Sequence, residues 1–157
     1  MPKGKLNRIT LRYEDTEQFP FGEILWAREV DFDLYKLDDI PFFSEDYGLG
    51  DFVVTDDNLT ILECRERCSR TRHVRYREES GLKESGDQQR RIRDFLKRTG
   101  IESDPNVGGY LSLAVPLDVD DDKLSLVLRS CDDALELVNV AHMLSLLGNQ
   151  VYKGHRP

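Results

Sequence analysis

The chain has 157 residues, of which 39% are hydrophobic and 33% charged, which is enough apolar material for one compact domain or two small subdomains sharing a core and too much for a disordered chain. Its formal net charge of −8 opposes binding to bulk nucleic acid or an anionic membrane and suits a basic partner. No apolar run approaches the roughly 18 residues of a membrane span, and the basic residues of the N-terminus lead into no apolar stretch of the secretory type.

In chain order, Ile9-Thr10-Leu11-Arg12-Tyr13 alternates apolar and polar residues and reads as a strand. A polar connection closed by Phe19-Pro20-Phe21-Gly22 leads to a second strand over residues 23–30, with Ile24 and Trp26 offered to the core and Ala27 as a further candidate. Leu34, Tyr35 and Leu37 suggest a third strand that runs into Ile40-Pro41-Phe42-Phe43. Residues 44–50 form a loop in which Gly48 and Gly50 allow positive φ. Phe52-Val53-Val54-Thr55 is a fourth strand, and Asp56-Asp57-Asn58 turns it into residues 59–67, with residues 71–77 able to pair back as a hairpin.

The second half changes character. Asp87 caps a helix to about Thr99, with Ile92, Phe95 and Leu96 as its apolar stripe and Gly100 as its stop. Residues 110–115 read as a buried strand. Asp120 or Asp121 caps a second helix through Cys131, with Leu124, Val127 and Leu128 facing inward. Residues 134–147 suit either a strand or a helix. The expected fold is α+β: a small mostly-β N-terminal part, residues 1–78, packed on a ferredoxin-like β-α-β-α-β part, residues 79–157, the two being one compact domain if their interface is tight. The polar, glycine-containing stretch 78–86 divides them.

Three segments stand out between positions 23 and 51: Glu-Ile-Leu-Trp-Ala-Arg-Glu-Val, then Leu-Tyr-Lys-Leu-Asp-Asp-Ile-Pro-Phe-Phe, then Tyr-Gly-Leu-Gly-Asp. They resemble the bacterial family known as domain of unknown function 4265, most clearly over the first 80 residues or so. Asp39 stands where that pattern often has Asn. The resemblance implies no catalytic residues, and small proteins of this kind resemble immunity or antitoxin proteins. Physically, Trp26, Ile40, Phe42 and Phe43 supply bulk for a small core, and Asp38, Asp39 and Asp51 sit beside turns where a carboxylate can bond backbone N–H groups.

Catalytic patterns are absent. His73, His142 and His155 neighbour no nucleophile motif, no Gly-x-Ser-x-Gly elbow occurs, and no Gly-Lys-Ser/Thr phosphate loop or Asp-x-Asp-x-Asp-Gly calcium loop is present. Cys64, Cys68 and His73 lack the paired fourth ligand of a zinc site, and an odd count of three cysteines with Cys131 fits reduced thiols in a cytoplasm. No enzyme activity, cofactor or metal is expected.

Charge clusters carry the functional expectation. Asp118, Asp120, Asp121 and Asp122 exceed what a helix cap needs, and Glu45 with Asp46 forms a second set. Such acids suit a protein partner, above all a basic toxin domain neutralised by an immunity-type protein, because complementary charge speeds association. Two alternatives are a small-molecule-sensing module built on the ferredoxin-like half, and an RNA-associated protein using the basic segment Arg65 to Arg77, with Arg72, His73, Arg75 and Arg77 at its centre. Interleaved Glu63, Glu66, Glu78 and Glu79 make nucleic acid the weaker partner.

Overall fold

The computed structural model describes residues 5–12, 22–76, 86–106, 109–139 and 141–143. Among the described residues, nine strands and two longer helices follow in the order β1 (Leu6–Arg12), β2 (Gly22–Asp31), β3 (Leu34–Leu37), β4 (Phe52–Thr55), β5 (Ile61–Glu66), β6 (Ser69–Tyr76), α1 (Gly86–Arg98), β7 (Glu102–Pro105), β8 (Leu111–Pro116), α2 (Asp121–Cys131) and β9 (Leu135–Val138). The class is α+β, with two antiparallel sheets.

The first sheet is a meander, β1-β2-β3-β4-β5, whose ends meet. Thr10 bridges Thr60, and the Thr10 N–H donates to the Leu59 carbonyl at 2.8 Å. This curling encloses one core of Ile9, Leu11, Leu25, Ala27, Tyr35, Leu37, Val53 and Ile61. Strand alternation decides which residues enter it. On β2 the inward set is Leu25 and Ala27, so the expectation that Ile24 and Trp26 supply core is corrected: both are exposed, at 64% and 41%. Phe43 and Ile40 are buried as expected, while Phe42 is partly exposed.

The second sheet has the order β7-β8-β6-β9, all antiparallel. Strand β6 lies in its interior, pairing Ser69–Val74 with β8 and His73–Tyr76 with β9. The hairpin expected between residues 59–67 and 71–77 is therefore not formed; β5 pairs with β4 instead. The change of partner falls at Arg67 and Cys68, where both residues leave strand geometry. Two further differences follow. Strand β7 (Glu-Ser-Asp-Pro) has no apolar run to announce it, so the element order from β6 onward is β-α-β-β-α-β and not β-α-β-α-β. In the ambiguous segment, Leu135–Val138 is strand and 141–143 is helical; its remainder lies outside the described residues.

One face of this sheet, through Val74, Leu111, Leu113, Val115 and Leu135, packs under α1 and α2, whose Ile92, Leu96, Leu124 and Leu128 complete the second core. The other face carries Thr71, His73, Ser112 and Asp104 and meets the 40–50 loop of the first half. Thr71 Oγ1 donates to the Tyr47 carbonyl at 2.6 Å, Ser69 Oγ to the Leu49 carbonyl at 2.8 Å, and Asn106 Nδ2 to the Phe42 carbonyl at 3.0 Å.

The tightest stitch between the halves is Asp51, which is fully buried. Its Oδ1 accepts from the N–H groups of Cys68 (2.6 Å) and Ser69 (3.3 Å); its Oδ2 accepts from Gly48 N–H (2.9 Å) and pairs with Arg67 Nε (3.1 Å). Gly48 is required here: a Cβ on it would run into the Ser69 carbonyl oxygen and hydroxyl. Gly50 has φ of +87°, which an L side chain adopts only with strain.

Candidate partner-binding surface

Folding redistributes the charged residues singled out by their clustering. Asp120 is the N-cap of α2, its Oδ1 accepting from Lys123 N–H at 2.8 Å. Asp121 bonds Arg70 Nη1 and Arg72 Nη2, both at 3.1 Å, and Arg72 Nη1 reaches Glu45 Oε2 at 2.9 Å. The two acidic sets thus meet, through Glu45 and Asp121, in one arginine-bridged network. Burial raises the Glu45 pKa, with Arg72 opposing and Asp121 adding to the rise. Asp118, Asp122 and Asp46 are exposed and have no ion pair among the described residues.

The basic segment is likewise partnered. Arg65 lies 3.8 Å from Glu63, Arg67 pairs with Asp51, Arg70 and Arg72 with Asp121, and Arg75 Nε with Glu136 at 2.8 Å. Arg77 lies outside the described residues. His73 cannot join a surface patch, because it is fully buried; this corrects its place beside Arg72 and Arg75. Neither ring nitrogen has a hydrogen-bond partner among the described residues. Burial lowers its pKa from 6.5 to about 4; the nearby Phe42 carbonyl opposes this and Arg72 assists it.

Across the second sheet Asp104, Ser112 and His73 stand in one row. The order sets Ser112 between the acid and the imidazole, whereas a nucleophilic serine requires the imidazole between. Ser112 is also fully buried, and its oxygen accepts from Asn106 Nδ2 at 2.7 Å. The three cysteines are free thiols. Among the described residues no group of three His, Cys, Asp or Glu could hold a metal ion, and no helix is long and apolar enough to cross a membrane.

The surface that sequence reading missed is the outer face of β2. Ile24, Trp26 and Val30 point outward along it, and Phe32, at the turn into β3, is 83% exposed. Arg8 on β1 lies opposite Trp26, with its guanidinium 5.1 Å from the ring centroid. Leu6 adds a partly exposed neighbour opposite Arg28. Asp33, with φ of +57°, fixes the turn, and its carbonyl accepts from Thr55 N–H at 3.0 Å.

At Ile24 this apolar stripe opens into a cleft of about 460 Å³ between the two sheets, walled by Glu23, Asp39, Phe42, Asp104 and Pro105. The 38–43 loop is tied to β2 on both sides of it. Asp39 Oδ2 accepts from Trp26 N–H at 3.0 Å, Asp38 N–H donates to the Trp26 carbonyl at 2.8 Å, and the Glu23 carboxylate accepts from Phe42 and Phe43 N–H. Asp104 comes from the other sheet. Burial raises its pKa, Arg93 at 3.7 Å opposes, and Asp39 and Glu102 add to the rise. Carboxylates from both halves therefore face the same cleft, beside exposed aromatic rings. Such a surface has the chemistry to accept a cation that carries an apolar body.

The fold and this surface define a two-part α+β protein in which a curled five-stranded sheet and a helix-backed four-stranded sheet share one cleft. The family model for domain of unknown function DUF4265 matches residues 23–137, and the chain belongs to that family. It is similar in fold to the crystal structure of a hypothetical protein from Neisseria gonorrhoeae, at a TM-score of 0.57 and 17% sequence identity, covering 89% of this chain and 95% of that one. No curated protein matches it.

Proposed function

We propose that this is a non-catalytic binding protein that holds a basic protein partner against the outer face of β2 and the adjoining cleft. The observation that carries the reading is the continuity of the two: exposed Ile24, Trp26, Val30 and Phe32 lead into a cleft walled by Glu23, Asp39 and Asp104. Interfaces use aromatic anchors in this way, and flanking acids select and steer a basic partner. The net charge of −8 adds to that steering. Within this reading the partner is a toxin domain, and the protein acts as an immunity or antitoxin protein of the cytoplasm, where free thiols persist. The second sheet with its two helices is read as a ferredoxin-like unit, on its β-α-β-β-α-β order. The RNA alternative loses support because each described arginine from Arg65 to Arg75 has a carboxylate within 4 Å.

The test is capture of partners from the native host at low salt by the tagged wild-type protein and by an Ile24→Asp/Trp26→Ala variant. The expected result is one stoichiometric basic protein on the wild type, released by high salt, absent from the variant, and toxic when expressed alone. A chain that elutes without a partner, or a partner indifferent to the double substitution, overturns the reading.

A further inference from the structure

On the helix-covered side of the second sheet, away from the cleft, a second cavity of about 220 Å³ opens between α1 and α2. Gln88, Arg91, Phe95 and Arg98 line it from α1, and Cys131 and Asp132 from the end of α2. The α1 spacings of three, four and three residues set all four on one helical face. Two arginines thus project along one groove with an aromatic ring between them.

Unlike the arginines of β5 and β6, which are all paired, Arg91 and Arg98 have no acidic partner among the described residues. Arg91 bonds only the neutral Gln88 amide among the described residues, and Arg98 has no hydrogen bond or ion pair there. The helix dipole favours a cation at Arg98, in the last turn, but gives Arg91, in the middle of the helix, no such support. The one acid in the groove is already engaged: Asp132 Oδ2 accepts from Gln88 Nε2 at 3.2 Å and Oδ1 from Ala134 N–H at 3.0 Å.

We propose that this groove is a binding site for a small organic anion, a carboxylate or phosphate on an apolar body, held by Arg91 and Arg98 with its body against Phe95. A planar guanidinium suits both anions by paired hydrogen bonds. The volume is below the roughly 300–1,000 Å³ of drug-sized sites, so the ligand is of metabolite size. The site is independent of the partner surface on β2 and stands or falls without it.

Cys131 supplies an internal reporter, since its half-buried thiol lies in the groove. Alkylation by iodoacetate and by iodoacetamide is followed at each cysteine by peptide mass spectrometry, with exposed Cys68 as the reference. Two nearby guanidiniums should raise the iodoacetate-to-iodoacetamide rate ratio at Cys131 about threefold over that at Cys68. Sodium benzoate should slow iodoacetamide at Cys131 in a saturable manner while benzyl alcohol at equal concentration does not. Arg91→Gln/Arg98→Gln, both changes at exposed positions, should remove the preference and the protection and keep the circular dichroism of the wild type. Equal ratios at the two cysteines, no saturable protection by benzoate, or protection that survives loss of both arginines would overturn the proposal.

Discussion

Replacing Asp51 by Asn tests how the halves are joined. The side chain keeps its shape, but one oxygen becomes an amide that can only donate. If the remaining oxygen stays on Cys68 and Ser69 N–H, the new NH2 faces Gly48 N–H and Arg67, which both donate. A buried donor left unsatisfied costs about 1–3 kcal/mol, and loss of the charge removes an ion pair whose acidic member is fully buried. Arg67 is partly exposed and recovers water, which discounts its share. Together these give about 3–5 kcal/mol, a large part of the roughly 5–15 kcal/mol that holds a domain folded. Urea unfolding measures it. Trp26 is the only tryptophan and reports the first half alone, whereas far-ultraviolet circular dichroism reports both. The two transitions should coincide in the wild type and shift to lower urea in Asp51→Asn. A loss under about 1 kcal/mol would show that the Asp51 bonds add little, and the reasoning would fail.

Three further outcomes are expected. His73 is held neutral when folded, with a pKa of about 4, and titrates near 6.5 when unfolded, so the unfolded chain binds more protons in that window and stability falls as pH drops through it. The contribution between neutral pH and pH 5 is about 2 kcal/mol; in urea titrations His73→Leu should flatten the acid slope by that amount, and an unchanged slope would count against it. Gly48→Ala should cost at least about 2 kcal/mol, because its Cβ meets backbone, whereas Gly100→Ala, with φ of +90° and open space around it, should cost about 1 kcal/mol; equal thermal shifts would refute the distinction. Asp120→Ala should lose about 1 kcal/mol of stability by removing the α2 cap, seen as a lower urea midpoint, and an unchanged midpoint would mean the cap contributes nothing.

Local patterns in the chain were readable and long-range pairings were not. The cap at Asp120, the stripe of Ile92, Phe95 and Leu96, and the strand before Pro116 depend on neighbours within a turn or two, and each lies where its pattern indicates. The side of β2 that faces inward is set by how the sheet curls, and Ile24, Leu25, Trp26 and Ala27 are all apolar, so alternation alone left the choice open. The partners of β6 begin at Leu111 and Leu135, beyond the reach of any turn signal. The candidate site suffered most. Its apolar stripe was read as core, its acids Glu23 and Asp104 come from different halves, and the conspicuous runs at residues 65–77 and 118–122 are largely spent on pairing and capping. One clue was available in the sequence: Phe32, flanked by Asp31 and Asp33, is a large apolar residue where a turn is otherwise polar.

The central position of β6 bears on how the chain is made. As the protein leaves the ribosome, the first sheet is complete before either neighbour of β6 has been synthesised. For that interval β6 is a strand with two open edges, the arrangement most prone to capture by another chain. Arg70, Arg72 and Arg75 lie along it; Glu45, one partner of Arg72, is already made, whereas Asp121 and Glu136, which pair with Arg70, Arg72 and Arg75, arrive later. Charge repulsion between nascent copies then guards the waiting strand, and the same arginines lock it in place once their partners are in reach.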